Sequence, residues 1–158
     1  MAIRKIVKLG EDDILRKHCR KVDKFDRRLA VLLDDMAETL YDADGAGLAA
    51  PQVGILKRAV VIDVGEGLIE LVNPEILSSE GEQMCVEGCL SVPGRRGRVL
   101  RPEKVRVHAQ DRKGRHIELE GEGFLANAIC HELDHLDGII YTDKMIEDMT
   151  DKYQDEEE

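Results

Sequence analysis

Leu29, Leu32, Leu33, Met36 and Leu40 recur at three- and four-residue intervals through "DRRLAVLLDDMAETLYD", with charged residues between them. That period predicts an amphipathic helix over 26–42. It stops ahead of "DGAGLAAPQVG", where glycines and Pro51 interrupt regular backbone. "RAVVIDV" (58–64) and "LIELVNPEIL" (68–77) are rich in β-branched residues and predict strands. "KVRVHAQD" alternates, with Val105, Val107 and Ala109 on one face, and "RHIELEG" does the same with Ile117 and Leu119. The intervening "DRKG" makes the pair a hairpin. A second helix is predicted over about 122–136, ended by Gly138, and a shorter one near 143–153. The order of helix, strands and helix predicts an α+β fold: antiparallel or mixed sheets around a central buried helix, with an N-terminal amphipathic helix and a C-terminal helix.

The central helix, "EGFLANAICHELDHL", carries two apolar faces. Phe124, Ala128, His131 and His135 fall in one narrow stripe, and Leu125, Ile129, Leu133 and Leu136 in an adjoining one. A helix so widely apolar belongs inside the domain, so both histidines should be buried and in need of partners. Imidazoles four positions apart project side by side and can share a metal ion, while Glu132, about 100° round, can reach a water on that ion. The same short pattern also fits a satisfied pair of core histidines. Asp134 is either an acceptor orienting an imidazole or a solvent-facing carboxylate. For a third ligand the downstream Glu147 is one candidate, and no histidine follows His135. Cys89, in "EGCLSVPG", read as a short polar loop where a thiolate could face a metal, is another.

The 158 residues suit one domain, 1–158, whose acidic end from about 151 is expected to fray. The start, "MAIRKIVKLGEDD", has no apolar core of the kind a secretory signal needs, and no run is long and apolar enough for a membrane helix. A cytoplasmic protein is expected, with its four cysteines reduced or acting as ligands. A formal net charge of -10 argues against nucleic-acid or anionic-membrane binding by the surface as a whole. The exception is "GRRGRVLRP", where Arg95, Arg96, Arg98 and Arg101 form either a solvated basic loop or a holder of something anionic. "GAGLAA" fits the dinucleotide-binding pattern but is rejected, since a helix precedes it and Pro51 follows, where a strand and a helix are required.

Three separated segments, "GAGLAAPQ" (45–52), "EGCLS" (87–91) and "HELDH" (131–135), match in order and type the motifs of the peptide deformylases. The chain resembles that family from "DILRK" through the last helix. The resemblance implies one divalent metal held by Cys89, His131 and His135 with water in the fourth position. Fe²⁺ would be native, and Zn²⁺, Ni²⁺ or Co²⁺ able to replace it; the donor types alone suit zinc equally. It implies hydrolysis of the N-formyl group from the N-terminal methionine of new polypeptides, releasing formate. Glu132 would be the general base, with the Gln52 amide and the Leu90 backbone N–H stabilising the oxyanion.

Substrate contacts carried over are Gly45, Gly47, Leu48, Glu87, Gly88, Arg96 and Ala128, with the methionine side chain near Leu90 and Ala128. Gly45 and Gly47 would let a substrate backbone approach as an added strand. The expected partners are formyl-methionyl peptides and nascent chains, met by a monomer with at most transient proximity to the ribosome. The acidic "DKYQDEEE" argues against docking on RNA through that end, and no direct nucleic-acid or membrane binding is expected. Cys130 stands where many family members have glutamine, and either perturbs the site or packs as a small apolar group. Three rivals remain: a zincin-type metallopeptidase, a non-catalytic module with a structural Cys/His zinc, and a thiol hydrolase using Cys89.

Overall fold

The computed structural model describes residues 2–11 and 13–150. Helix α1 spans Arg27–Asp42, and the Asp26 carboxylate caps it by accepting from the Leu29 N–H at 3.2 Å. Strands β1 (Gly47–Ala49), β2 (Ala59–Ile62) and β3 (Ile69–Glu80) follow, then β4 (Gln83–Cys89), β5 (Val92–Arg101), β6 (Lys104–Gln110) and β7 (His116–Glu122). Helix α2 covers Phe124–Leu136. Two sheets form, five-stranded in the order β1-β2-β3-β6-β7 and three-stranded from β4, β5 and a last strand, β8 (Glu147–Asp148). Every strand pairing is antiparallel, so no mixed sheet is present among the described residues.

Strand β2 shows how the core divides. All four of its residues are buried, because the large sheet is covered on both faces. Ala59 and Val61 face the cluster built on Leu29, Leu32, Leu33, Met36 and Leu40 of α1. Val60 and Ile62 face the opposite cluster, with Ile129, Leu133 and Leu136 of α2. Alternation sends successive side chains to opposite layers. Helix α2 thus lies buried between the large sheet and the small one, as the sequence predicts. The hairpin β6–β7 is likewise as expected, with Gly114 at φ +83° closing its turn.

Two regions depart from the sequence-based expectations. The stretch around Cys89 is the end of β4, and the arginine-rich run after it is strand β5, not a loop. The predicted C-terminal helix reduces to one turn, α3 (Tyr141–Lys144), followed by β8. The Ile146 and Met149 N–H groups donate to the Arg98 and Arg96 carbonyls, each at 2.8 Å, so the open edge of β5 captures this segment as a strand. The rest of the predicted helix, from 151, and the acidic end lie outside the described residues. Among the described residues no helix is long and apolar enough to cross a membrane.

Candidate active site

Helix α2 is held firmly at its C-terminal end. Gly138, at φ +76°, turns the chain out of the helix, and the Leu136 carbonyl accepts from the Cys19 N–H at 2.8 Å and from Arg58 Nη1 at 3.2 Å. Its inner face then presents His131 and His135 toward the β4–β5 turn that carries Cys89. Their ligand atoms and the Cys89 Sγ all lie within 4.8 Å of one another, with Cys89 Sγ 3.4 Å from His135 Nε2. No fourth Cys, His, Asp or Glu joins this group among the described residues.

The surroundings fix each donor. His131 Nδ1 sits 2.7 Å from Glu87 Oε1, which leaves Nε2 as the free ligand atom, and the ring stacks on Tyr141 at a centroid distance of 5.9 Å. Glu87 is clamped in turn by Arg101, whose Nε and Nη2 donate to its two oxygens at 2.6 and 2.9 Å. Arg101 also donates to Asp134 at 2.8 Å. Burial pushes the Glu87 carboxyl up, but Arg101 and His131 outweigh it and bring it down to about 2. Glu87, expected against substrate, therefore has its carboxylate committed to His131 and Arg101. The orienting carboxylate is Glu87, and Asp134 acts one step back through Arg101.

Glu132 is 3% exposed, with its Oε2 4.0 Å from His131 Nε2. Burial lifts its carboxyl to about 7, against the pull of His131. Gln52 is equally buried: its Oε1 accepts from the Ala49 N–H at 2.9 Å, which turns Nε2 toward Ser91 Oγ at 3.1 Å and Cys89 Sγ at 3.5 Å. A cavity of about 520 Å³ joins these groups. Of the residues anticipated from the sequence, Gly45, Gly47, Gln52, Glu87, Gly88, Cys89, Leu90, Arg96, Ala128, His131 and Glu132 line it. His135 lies behind it, 1% exposed.

Leu48 does not line the cavity. Along β1 the side chains alternate, and Leu48 points into the α1 core, fully buried. Gly45 and Gly47 are small for an internal reason: a Cβ at 47 would stand 2.5 Å from Glu132 Oε2, and one at 45 would stand 2.9 Å from the Leu90 side chain. Sequence reading missed Phe124 and Asn127 as cavity residues, although both lie on the helix that carries the histidines. It also missed Ser91, Tyr141 and the buried Arg101. The arginine run was the signal for the last, since three of its four members hold carboxylates of this same chain: Arg95 with Asp148, Arg98 with Glu147 and Arg101 with Glu87. Cys130 packs in the α2 core, and burial pushes its thiol up to about 11.

A thiol and two imidazoles converging beside a buried carboxylate, at an open cavity that Cys89 and His131 line, are the donor set of a metal-dependent hydrolase. The family described as polypeptide deformylase matches residues 3–151, and the chain belongs to it. The peptide deformylase of Caldicellulosiruptor bescii is 64% identical over 146 residues, 92% of this chain and 87% of the relative. That of Acetivibrio thermocellus is 62% identical over 146 residues, 92% and 85% of the two chains. The crystal structure of the peptide deformylase from Legionella pneumophila aligns with a TM-score of 0.88 at 50% identity, covering 91% of this chain and 86% of that one.

Proposed function

We propose that this chain removes the N-formyl group from the N-terminal methionine of nascent polypeptides by hydrolysis, releasing formate. The observation that carries the reading is the meeting of Cys89, His131 and His135 beside a cavity that Cys89, His131, Glu132 and Gln52 line. These residues fit a divalent ion: one soft thiolate and two imidazoles are suitable donors, and Glu132 Oε1 is buried with no hydrogen-bond partner among the described residues. Held by the three side chains, the ion would supply Lewis acidity, polarising the formyl carbonyl and acidifying water. Fe²⁺ is our reading of the native ion, on the family resemblance, and metal analysis after oxygen-free purification tests it.

The protein's own groups carry the remaining chemistry. Glu132, its carboxyl near 7, takes a proton from the attacking water and returns it to the departing amine. The Gln52 Nε2, aimed by the Ala49 N–H on the far side of the same amide, donates to the developing oxyanion. The Leu90 backbone N–H is the second donor, in a turn that Lys8 Nζ braces by donating to the Leu90 carbonyl at 3.2 Å. Gly88 leaves room for the Arg96 guanidinium, which an added Cβ would meet at 2.3 Å, and Arg96 then lines the cavity mouth for the substrate chain.

The rivals fit less well. A zincin would use Glu147, which lies on β8 paired with Arg98, and a structural zinc would need a fourth ligand. The test is formate release from a formyl-Met tripeptide by protein loaded without oxygen with Fe²⁺ or Ni²⁺. Glu132→Ala should lose about 10²–10⁴-fold in rate while keeping its metal. No formate from wild-type protein holding a full equivalent of metal would sink the reading.

A further inference from the structure

Beside the N-terminal turn of α1, two adjoining hollows of about 460 and 580 Å³ share Arg28, Ile55 and Lys57 in their walls. Neither shares a wall residue with the cavity of the candidate site. Between them they are lined by seven cations: Arg4 is held by Asp35, and the other six, Arg20, Lys21, Lys24, Arg27, Arg28 and Lys57, have no ion-pair partner among the described residues. Many basic residues elsewhere in the chain are paired: Arg58 is held by Asp137, Arg101 by Glu87 and Arg112 by Glu70. In a chain with 33 acidic residues and a net charge of -10, six unpaired cations on one face set that face apart from the rest. The acidic residues in the walls are Asp23 and Asp26, and the second is occupied as the cap of α1.

The backbone under part of this face is fastened. The Arg20 N–H donates to the Leu56 carbonyl and the Arg58 N–H to the Arg20 carbonyl, each at 3.0 Å, which fastens Arg20 alongside Lys57. Val31, Leu32 and Ile55 supply apolar wall between the charges.

We propose that this face docks the phosphate backbone of RNA. Cations spread along a joined pair of hollows suit a chain of phosphates, and the apolar wall suits ribose and base faces. A bilayer would be met by apolar groups projecting from the surface, whereas these line a concavity. The choice of RNA over lipid also rests on the proposed function, because nascent chains are made on RNA-rich particles.

The experiment titrates metal-loaded full-length protein against a fluorescent 20-nucleotide RNA hairpin, by anisotropy, in 50 and 200 mM KCl. Four phosphate contacts would weaken binding roughly 100-fold between the two salts. Reversing Arg20, Lys24, Arg28 and Lys57 to Glu should cost at least tenfold in affinity at 50 mM and leave formate release unchanged. The control reverses Lys104, Arg106, Lys113 and Arg115 on the β6–β7 hairpin, an equal change in net charge, and should bind RNA as wild type does. Equal loss in the control, no RNA binding by wild type at 50 mM, or binding to phosphatidylglycerol vesicles in place of RNA would each overturn the proposal. Protein that binds RNA but releases no formate would sink the functional reading and leave this one standing.

Discussion

Gly47 is small because Glu132 lies against it. A Cβ there would come within 2.8 Å of three atoms of the Glu132 side chain. Gly47→Ala should therefore displace the carboxylate and lower kcat by about 100-fold, the lower end of what a general base contributes, with metal content and melting temperature little changed. Glu87 carries a different load. Glu87→Gln removes the anion from His131 and leaves Asp134 as the one carboxylate on the Arg101 guanidinium, so metal affinity should fall about 10–100-fold. The same change should destabilise the fold by about 1–3 kcal/mol, because the buried Arg101 loses one of its two anionic partners and keeps Asp134.

The acid limb of stability follows from these carboxylates. Glu87 is lowered to about 2, and Asp35, held by the Ala2 N–H and by Arg4, is also lowered. A depressed folded-state pKa contributes stability that is full above the unfolded value and lost as pH falls through the folded one. Urea midpoints should thus hold down to about pH 5 and drop progressively from there toward pH 2. Thiol reactivity separates the cysteines in the same way. Burial pushes Cys19 and Cys130 up to about 11, whereas Cys89 is partly exposed at the cavity. In native, metal-free protein at pH 8 an alkylating reagent should modify Cys89 first, and mapping the labelled peptide checks it.

Among the elements, α1, α2 and the β6–β7 hairpin were legible because each repeats its apolar residues at the period of its own backbone. Strands β4 and β5 were not. In "VPGRRGRVLR" the arginines mask the period, and Arg101 is buried only because Glu87 and Asp134 meet it there, 14 and 33 positions away. A local pattern holds no record of such partners. Strand β8 was missed for a like reason, since its form depends on the edge of β5. The grouping of Cys89, His131 and His135 was legible because all three lie in short motifs, while the Glu87–Arg101 clamp is a tertiary fact. At the exit of α2, a Cβ on Gly138 would lie 2.4 Å from the Arg16 carbonyl oxygen, at a φ of +76°. Gly138→Ala should cost on the order of 1–3 kcal/mol, read as a lowered urea midpoint with an unchanged slope.

For the whole molecule, net charge was a poor guide to local surface. The value of -10 is a sum, and the sum conceals the cationic hollows beside α1. The gathering of ligands has a wider effect of the same kind. Cys89 and His135 are 46 positions apart, one on the turn of the small sheet and the other on a helix packed against the large one. An ion shared between them would be a removable rivet joining two halves of the molecule, and its occupancy at 100 times the dissociation constant would add about 2.7 kcal/mol to stability. Stripping it with a chelator should lower the melting temperature by several degrees. The rate of that stripping should rise with chelator concentration and then level off, because the ceiling is set by how often the halves part. Metal release would then serve as a clock for an opening that no static picture displays.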